Sequence, residues 1–592
     1  MRYYVGVDVG TGSVRAGLFA LAPPPSPVER DETAVRQCVQ SSTEIWQAVC
    51  HCVQQCLQTA QAHHHRLQQL QQSPEGVAFD VTQVAGIGFD ATCSLVADGS
   101  TKDDDDDAAD NAGEDGDAFN VVLWMDHRAP DQTARISRSS VGAQRVFRYV
   151  GGQMSIEMEL PKILWLKEYC LWAVPSESGQ RVWDSMHFFS LSDFLTFRCT
   201  GRPARSTCSL ICKWGYLPPG TVPADSSGGG WDGAFLRDIG LADLTVDHYK
   251  RIGGHSGTAH TEKAWGGGDD HDIHNHNHSG DPAELVHRAG DWVGNLTPQA
   301  ARELGLTTQT RVGSAVIDAY AGWIGTVLTM NPADAAVTPN QNSHSPNGHA
   351  AASSGTTALV DQMTHRLVIT CGTSSCHLAA HPQPLFVSGI WGPYYNVAVP
   401  GLWLTEGGQS ATGALVDYLV SQHPAYPWLY QAIRQGHSPP GLELPTPVTQ
   451  LEQPYRGYLD LIDHQTYHFL PDWHGNRSPL SDASLRGAIV GLALDEGSSN
   501  DHGNPLALVK VYLAACMALA YGTRQIIDRL TGPQPKPKPK QVMAGGWAQN
   551  DLFVQIHADV TGRPVYVPQV DQGAEVVLGS AMCGYAAELA AE

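Results

Sequence analysis

The chain has 592 residues, of which 42% are hydrophobic and 16% charged, and its formal net charge is −23. This length exceeds what one hydrophobic core usually supports, so it predicts at least two domains, and the composition excludes a fibrous or wholly disordered chain. The negative charge argues against nucleic-acid and anionic-membrane partners, although nine acidic residues are concentrated in segment 103–117. Thirteen cysteines without framework spacing, and an N-terminus without a basic-then-apolar leader, predict reduced thiols in a cytosolic protein.

Low-complexity segments divide the chain. They are too poor in apolar residues to order themselves, so we interpret them as surface insertions: 101–118, 253–281, 333–357 and 533–540. The third insertion separates a helical pattern from a strand pattern, which makes 331–364 the predicted domain boundary. The predicted domains are therefore 1–330 and 365–592.

A motif of strand, turn and strand occurs near the start of each predicted domain. YYVGVDVG predicts a buried strand, Gly10 to Ser13 a turn, and VRAGLF a second strand returning antiparallel. ITCGTSSCHL repeats the pattern from residue 369. A P-loop or dinucleotide fold is excluded, because no Lys follows the glycines and strand alternation resumes at Val14.

The tip of this hairpin has the chemistry of a phosphate site. Glycines and small hydroxyl residues expose backbone N–H groups and hydroxyls with little steric bulk. We expect phosphate contacts from these residues of the two copies: Thr11, Gly12, Ser13, Gly372, Thr373 and Ser374. Asp8, at the end of the first strand, is a candidate ligand of Mg²⁺ through water. Two such tips facing each other would grip one nucleoside triphosphate; the alternative is that each is only a tight turn.

Apolar periodicity predicts further helices in chain order. These are the cysteine-containing stretch QAVCHCVQQCLQTAQ, then 160–174, the residues after Asp318, 484–494 and 505–530. The apolar stretch 312–330 contains Asp318 and several small polar residues, so we interpret it as a core segment rather than a membrane span. Strands and helices mix in both halves, which is the pattern of an α/β protein.

Two apparent metal motifs are interpreted otherwise. CHCVQQC has no second ligand pair at finger spacing, and its cysteines suit the core and surface of an amphipathic helix. HDIHNHNH lies in an insertion, and such a segment is not a preorganised site. We assign no metal to either.

Seven motifs together resemble one family. DVGTGSVRAGL, GIGFDATCSLV, WMDHRA, GSAVIDAYAGWIG, ITCGTSSCHL, PGLWLTEGGQSATGALVDYL and MAGGWAQNDLFVQIHADVTGRPV are similar, in order, to the motifs of the FGGY carbohydrate kinases. The match covers the chain apart from the insertions. The resemblance implies two ribonuclease-H-like domains of the actin, hexokinase and Hsp70-like superfamily, with a cleft between them. It also implies transfer of phosphate from ATP, with Mg²⁺, to a sugar hydroxyl.

Asp318 is the candidate catalytic base. AVI before it predicts a strand and AYAGWIGTVL after it a helix, so its carboxylate stands at a helix start, where the dipole favours the anion. Apolar neighbours act in the opposite direction, and the two effects together would leave the group ionised yet basic. The alternative interpretation is a helix N-cap.

The resemblance also implies a sugar site. In the family the segment after GIG lines this site, which here gives Asp90, Ala91, Thr92, Cys93 and Ser94. Lys213 matches a lysine that related pentulose kinases place on the sugar. Where L-ribulokinases have a glutamate after a Gly-x-x step, this chain has GPYY, with Tyr394 and Tyr395, and Tyr395 is taken as the sugar-site candidate. This departure weakens the L-ribulose interpretation. The sequence TCSLV resembles the corresponding segment of the D-ribulokinase subgroup. A strand ending in a turn is the alternative for 90–94, and a surface lysine is the alternative for Lys213.

The adenosine end is expected at MAGGWAQN. Gly545 and Gly546 would let the nucleotide approach the backbone, and Asn550 would hydrogen-bond the base. In EGGQSATG, Gly408 either approaches the phosphates or belongs to the cap of the helix that follows.

The sequence therefore predicts an ATP- and Mg²⁺-dependent kinase that converts D-ribulose to D-ribulose 5-phosphate. The alternatives are kinases of ribitol, D-xylulose or L-ribulose, or a catalytically silent sugar or nucleotide sensor with the same fold. The expected partners are a pentulose and ATP, and neither nucleic acid nor a membrane is expected. The oligomeric state considered is a homodimer.

Overall fold

The structure is a computed structural model. It describes residues 2–20, 26–34, 39–69, 79–99, 120–173, 176–218, 230–253, 285–329, 360, 363–427, 430–431, 467–492, 505–532, 540–544, 546–568 and 573–591. Insertions 101–118 and 333–357 lie outside these ranges, and so do 253–281 and 533–540 except for their end residues Gly253 and Lys540. Most of the predicted boundary 331–364 also lies outside them.

The described strands are β1 (Tyr3–Val9), β2 (Ser13–Ala20), β3 (Ser26–Ala34), β4 (Val39–Gln40), β5 (Val84–Ala91), β6 (Leu95–Asp98), β7 (Val121–Val122), β8 (His187–Ser190), β9 (Arg205–Ser206), β10 (Val286–His287), β11 (Trp292–Asn295), β12 (Arg311–Gly313), β13 (Val316–Ile317), β14 (Arg366–Cys371), β15 (Ser375–His381), β16 (Trp391–Tyr395), β17 (Trp403–Gln409), β18 (His468–Leu470), β19 (Ala488–Val490), β20 (Lys540–Ala544) and β21 (Val565–Tyr566).

The described α-helices are α1 (Ser42–Gln69), α2 (Pro130–Ile136), α3 (Ser140–Arg145), α4 (Glu159–Ala173), α5 (Ser176–Ser185), α6 (Leu191–Thr200), α7 (Thr207–Lys213), α8 (Gly233–Asp238), α9 (Pro298–Leu304), α10 (Asp318–Thr329), α11 (Gly413–Gln422), α12 (Pro505–Thr531), α13 (Asp551–Thr561) and α14 (Ala574–Ala591). Strands and helices alternate, which confirms the predicted α/β class.

The largest sheet contains the predicted hairpin. Its strand order is β11-β12-β5-β1-β2-β3, and β13 also pairs with β5. β1 and β2 are antiparallel from the pair of Tyr3 and Ala20 to the pair of Val9 and Val14, as predicted. β5 runs parallel to β1, β12 and β13, so the carboxyl ends of β1, β5 and β13 lie at the same edge.

The C-terminal helix α14 packs closely against this sheet and against α10. A β-carbon added at Gly88 would lie 1.9 Å from the carbonyl oxygen of Ser580, and one added at Gly325 would lie 1.7 Å from that of Glu575. Real side chains do not tolerate such distances, so the glycines of β5 and α10 make this approach between backbones possible. The packing fixes the position of the sheet edge at which β1, β5 and β13 end.

The described residues divide into two compact units that are not consecutive along the chain. Unit 1 comprises 1–366, 378–406 and 568–592, and unit 2 comprises 367–377 and 407–567. Segments 378–406 and 568–592 therefore pack with the N-terminal part, although the sequence-based division assigns them to the C-terminal domain. The domain bounds 1–330 and 365–592 stay a prediction, because compactness follows packing rather than order along the chain.

Unit 2 is also a mixed α/β assembly. Its strands lie in the order β15-β14-β20-β21, with β20 parallel to β21. The long helix α12 contacts α11 and α13. β18 and β19 form a separate antiparallel hairpin.

The prediction of a helix over 484–494 is wrong. The described part of this stretch contains β19, whose register pairs Phe469 with Ile489. Gly487 and Gly491 flank the strand, Gly491 has a φ of +97°, and the burial alternates with the period of a strand. Glycine on both sides and a β-branched pair between them favour a strand over a helix. The other predicted helices are confirmed as α1, α4, α10 and α12.

The apolar stretch 312–330 contributes to β12 and β13 and then to α10. Across the ranges that the structure describes, no helix is long and apolar enough to cross a membrane. Every described cysteine is a free thiol, and Cys52 and Cys56 of α1 are buried in the core as interpreted from the sequence.

Gly88→Ala should destabilise the protein by about 1–3 kcal/mol or more, because the new methyl group would overlap the backbone of α14. Gly99→Ala is the matched control: the nearest atom to its β-carbon is Ser185 Oγ at 3.9 Å, so the change should stay within about 0.5 kcal/mol. Urea denaturation followed by tryptophan fluorescence measures both. Equal losses in the two variants would contradict this account of the packing.

Candidate functional site

Three carboxyl groups lie at one edge of the large sheet. Asp8 of β1 is in register with Asp90 of β5, and Val316 of β13 is in register with Asp90 from the other side. Asp318 follows β13 directly as the first residue of α10. Parallel strands bring their carboxyl ends to the same edge, which is where ligands of α/β sheets bind. The strand pairing therefore assembles Asp8, Asp90 and Asp318 from positions more than 300 residues apart.

Asp318 is placed as the sequence predicts, at a helix start. Its Oδ1 accepts a hydrogen bond of 2.8 Å from the backbone N–H of Ala319. Burial raises the pKa of the Asp318 carboxyl to about 6, and the neighbouring Asp8 carboxylate also raises it. Lys213 acts in the opposite direction. A carboxyl with this pKa is mostly ionised at neutral pH and is a stronger base than an exposed aspartate.

Asp8 is held by an ion pair. Its carboxylate accepts a hydrogen bond of 2.8 Å from Arg15, which lies opposite it in the β1–β2 hairpin. Asp8 and Asp318 together offer hard oxygen donors at the sheet edge, and their mutual repulsion would be relieved by a cation. This donor chemistry fits Mg²⁺ held through water. Among the described residues, no cluster of three or more His, Cys, Asp or Glu side chains is arranged to ligate a metal directly.

Asp90 is fully enclosed. Ser580 of α14 donates a hydrogen bond to its Oδ2, and no partner for its Oδ1 is found among the described residues. Burial and the adjacent Asp8 carboxylate raise the pKa of Asp90 well above its usual value. Of the residues predicted to contact the sugar, Asp90 is therefore the one that packs against α14.

A buried ion pair joins the predicted sugar lysine to a strand. Lys213, the last residue of α7, donates a hydrogen bond of 3.0 Å to Glu406 of β17, and both side chains are at most 3% exposed. The second oxygen of Glu406 accepts a hydrogen bond of 3.0 Å from the hydroxyl of Tyr320. The ammonium also lies 4.1 Å from the centre of the Trp391 ring. The surface-lysine interpretation is therefore wrong, since Lys213 is buried and paired.

The turn after β5 contains the remaining sugar-site candidates. Ala91 is buried at the end of the strand, and the hydroxyls of Thr92 and Ser94 lie 3.0 Å apart. The backbone N–H of Trp124 donates to Ser94 Oγ over 3.3 Å, so these hydroxyls also stabilise the turn. Burial raises the pKa of the half-buried Cys93 to about 12. Four charged groups act on this thiol: Lys213, Glu159, Asp318 and Glu406.

The structure brings Tyr394, rather than Tyr395, to this cluster. Tyr394 is fully buried and donates a hydrogen bond of 3.1 Å to the carbonyl oxygen of Cys212, next to Lys213. Tyr395 is half-buried and packs on Trp403, with 4.7 Å between the ring centres. Neighbouring residues of a strand point to opposite faces, so only one of the pair can face α7. Sugar binding by Tyr395 stays a prediction.

The first predicted phosphate tip is an exposed turn. The N–H of Gly10 donates to the carbonyl oxygen of Ser13 over 2.9 Å, and Gly12 is exposed. Thr11 is held from two sides: Trp124 Nε1 donates to its hydroxyl over 3.1 Å, and Gln40 donates to its carbonyl oxygen over 3.0 Å. The turn is therefore fixed while its tip stays accessible. Phosphate binding by Thr11, Gly12 and Ser13 stays a prediction.

The second tip, in unit 2, is also closed by a backbone hydrogen bond, but this bond spans two residues rather than three. The N–H of Gly372 donates to the carbonyl oxygen of Ser374 over 2.9 Å, and a β-carbon added at Gly372 would meet no atom within 4 Å. The carbonyl oxygen of Thr373 accepts a hydrogen bond of 2.9 Å from Thr412 before α11. Gly408 differs, because it is buried and its added β-carbon would lie 2.7 Å from the carbonyl oxygen of Ser375. Gly408 thus serves close packing here.

The predicted adenosine residues are only partly described. Gly545 lies outside the described residues, and Gly546 begins a short 3₁₀ turn. Asn550 is the N-cap of α13: its side-chain oxygen accepts from the N–H of Phe553 over 3.0 Å, and its amide donates to the Tyr512 hydroxyl over 2.6 Å. The oxygen and the amide nitrogen of this side chain are therefore both hydrogen-bonded within the protein. Binding of a base by Asn550 stays a prediction.

Sequence reasoning missed two buried glutamates near Lys213. Glu406 stands inside the quoted motif LTEGGQ, where a carboxylate in an otherwise apolar strand was the available signal. Glu159 begins the apolar helix α4, and its position resembles an ordinary acidic residue of a first helical turn. Only the burial of both side chains distinguishes them from surface acids.

Comparisons with known proteins identify the family of the chain. The C-terminal domain of the FGGY family of carbohydrate kinases matches residues 367–588. The chain is 36% identical to a human FGGY carbohydrate kinase domain-containing protein, over 98% of this chain and 88% of that protein. It is 35% identical to a D-ribulokinase of Saccharomyces cerevisiae, over 99% of this chain and 72% of that protein.

The structure is similar to the crystal structure of xylulose kinase from Rhodospirillum rubrum, with a TM-score of 0.57 and 15% identity over 100% of this chain and 92% of that chain. This likeness confirms the predicted fold class. The identity over nearly the whole chain, together with the matching C-terminal domain, confirms the resemblance that the motifs indicated. The chain therefore belongs to the FGGY family and is a carbohydrate kinase.

Proposed function

We propose that the chain transfers the γ-phosphoryl group of ATP to the terminal hydroxyl of a pentulose, with D-ribulose as the preferred substrate. One observation carries the proposal: Asp318, with a pKa of about 6, shares its surroundings with the buried pair Lys213–Glu406 and with the turn at Cys93. Two observations support the choice of sugar: the yeast relative is a D-ribulokinase, and this turn has the sequence TCSLV.

In this mechanism Asp318 accepts the proton of the attacking hydroxyl. Phosphoryl transfer needs positioning and charge neutralisation more than covalent help from the protein. The N–H of Ala319 fixes one oxygen of Asp318, which leaves the other directed to the substrate. The raised pKa increases the basicity of the carboxylate while it stays ionised at neutral pH. A sugar hydroxyl held in line with the phosphate then reacts as if within one molecule.

Lys213 would donate to a sugar hydroxyl from a preorganised position. Its ammonium is oriented by Glu406 and by the face of Trp391, and Glu406 is oriented by Tyr320. A donor held in this way loses little conformational freedom when the sugar binds. The buried pair therefore contributes to selectivity through fixed geometry.

ATP and Mg²⁺ complete the proposed reaction. Asp8, with Asp318 beside it, would hold Mg²⁺ through water, and the ion would supply neutralisation of phosphate charge. Thr11, Gly12 and Ser13 offer backbone N–H groups and hydroxyls to phosphate oxygens in unit 1. Gly372, Thr373 and Ser374 offer the same groups in unit 2.

A kinase of ribitol, D-xylulose or L-ribulose would use the same base and the same ion pair. A silent sensor would also bind sugar, but a basic Asp318 at the sheet edge has no use in binding alone. We further propose a cytosolic location, since each described cysteine is a free thiol. A homodimer stays a prediction.

The first test is sugar-dependent release of ADP with Mg·ATP over a panel of D-ribulose, L-ribulose, D-xylulose, ribitol, L-arabitol and glycerol. We expect kcat/KM for D-ribulose to exceed the others by about 100-fold, the discrimination that one or two well-placed hydroxyl contacts provide. Another preferred sugar would correct the substrate and keep the kinase. Absence of turnover with every sugar would favour the sensor.

Asp318→Asn should retain ATP binding and lose turnover by a factor of about 100 or more, because general-base assistance of this size is typical. In the unmodified enzyme, kcat/KM should fall by at least about tenfold per unit as the pH decreases below about 6. The sign follows from the raised pKa of Asp318: the ionised base is present above about pH 6 and is lost as the carboxyl is protonated.

The matched control is Asp131→Asn, an exposed aspartate in the first turn of α2. It makes the same chemical change at a helix start away from the site, so the rate and the pH profile should be unchanged. Near-normal turnover of the Asp318→Asn protein, with its folding intact, would remove Asp318 from the proposed role.

A further inference from the structure

Glu159, the first residue of α4, is buried in an unusual state. Its side chain has no exposed surface, and neither carboxylate oxygen has a hydrogen-bond partner among the described residues. Enclosing a carboxylate without partners is costly, and most buried polar atoms in proteins are hydrogen-bonded. An orphaned carboxylate in a native structure therefore indicates a ligand that supplies donors.

The nearest candidate partner within the protein is already engaged. Lys162, one turn along α4, is fully buried, and its ammonium donates to three backbone carbonyl oxygens. These belong to Leu123 at 3.0 Å, Trp124 at 3.2 Å and Glu157 at 3.4 Å. An ammonium has three donors, so these contacts account for all of them. Lys162 balances charge near Glu159 without satisfying its oxygens.

A structural role at the helix start does not explain the carboxylate. Acidic residues stabilise first helical turns through the dipole and through hydrogen bonds from backbone N–H groups. Both oxygens of Glu159 lack such bonds, whereas the side-chain oxygen of Asn550 accepts one at the start of α13. Glu159 therefore lacks the backbone hydrogen bonds through which an acidic residue usually stabilises a helix start.

Glu159 lies near the turn at Cys93: Lys162, three residues along α4, donates to the carbonyl oxygen of Trp124, and the N–H of Trp124 donates to Ser94 Oγ. The charge of Glu159 acts on Cys93, as do those of Lys213, Asp318 and Glu406. Burial raises the pKa of Glu159 to about 7, and Lys162 and Lys213 partly oppose this. The group therefore stands near Lys213 and the turn at Cys93, where the sugar is proposed to bind.

We propose that Glu159 determines sugar specificity by accepting hydrogen bonds from hydroxyl groups of an uncharged, open-chain pentulose, away from the hydroxyl that reacts. This inference rests on the proposed function, since it assumes that the pocket binds a sugar. The ionised form of Glu159 accepts hydrogen bonds and cannot donate them, so a ligand that binds this form must bring donors, as a polyol does, and its binding favours the ionised form. Asp318 and Glu406 carry the same charge in this pocket, and they disfavour an anionic ligand.

Glu159→Gln and Glu159→Met test the acceptor, with Glu168→Gln in the same helix as control, because Glu168 is half-exposed and pairs with Arg135 away from the turn at Cys93. We expect the Gln variant to lose about 10- to 100-fold in kcat/KM for the preferred sugar, and the Met variant more, because hydrogen bonds to charged groups are worth this much. The KM for ATP should stay unchanged. The sugar-free variants should unfold at or above the temperature of the unmodified protein, because they remove an unpartnered buried charge. Unchanged kcat/KM in both variants would overturn the proposal.

A second measurement uses the unmodified protein and does not depend on folding of a variant. Deoxy analogues of the preferred sugar should include one, lacking a non-reacting hydroxyl, whose kcat/KM is at least about 100-fold lower, because a buried acceptor is then left unpaired. This penalty should shrink in the Glu159→Gln protein. If no non-reacting hydroxyl matters by more than about tenfold, the proposal fails.

The two failures are distinguishable. If another sugar has the highest kcat/KM in the panel, the same tests are made with that sugar, and only the assignment of D-ribulose is overturned. If no sugar is phosphorylated, the proposed function fails, and the rise in unfolding temperature caused by each sugar tests Glu159 alone. A rise that the Glu159→Gln substitution abolishes supports the inference, whereas an equal rise in both proteins, or no rise in either, overturns it.

Discussion

Parallel pairing of β5 with β1 and β13 is the constraint on which the site depends. It sets Asp8 beside Asp90 and delivers Asp318 to the same sheet edge. The pairing is held from behind by α14, whose backbone approaches β5 at Gly88 more closely than any side chain would permit. Gly88, two residues before Asp90 in the same strand, therefore helps to determine where the carboxyl groups stand.

The crowding of carboxyl groups also explains how their tasks divide. Asp90, enclosed and bonded to Ser580, has a pKa well above its usual value, because burial and Asp8 both oppose its ionisation. Asp8 forms an ion pair with Arg15. Burial and Asp8 raise the pKa of Asp318 to about 6. Carboxyl groups at one sheet edge thus differ in their surroundings, and such differences separate acid and base roles in active sites.

Local patterns predicted the elements, and tertiary packing decided the rest. The β1–β2 hairpin and the helix after Asp318 follow from alternation and periodicity alone. The pair Lys213–Glu406 joins residues 193 positions apart, so no local pattern could reveal it. The choice between Tyr394 and Tyr395 depended on which face of β16 meets α7. Residues 484–494 were misinterpreted because an apolar run between glycines fits a helix and a strand equally well.

The distribution of charge around Lys213 has a consequence for release of the product. The carboxyl groups of Glu159, Glu406 and Asp318 all act on Cys93. The ammonium of Lys213 is paired with Glu406, and that of Lys162 donates to backbone carbonyl oxygens. A neutral polyol can enter this pocket and satisfy the buried acceptors with its hydroxyl groups. The same polyol leaves the reaction as a phosphate ester, whose negative charge the carboxylates repel. A pocket that binds the sugar as proposed would therefore disfavour the phosphorylated product, and the groups that select the substrate would assist its release.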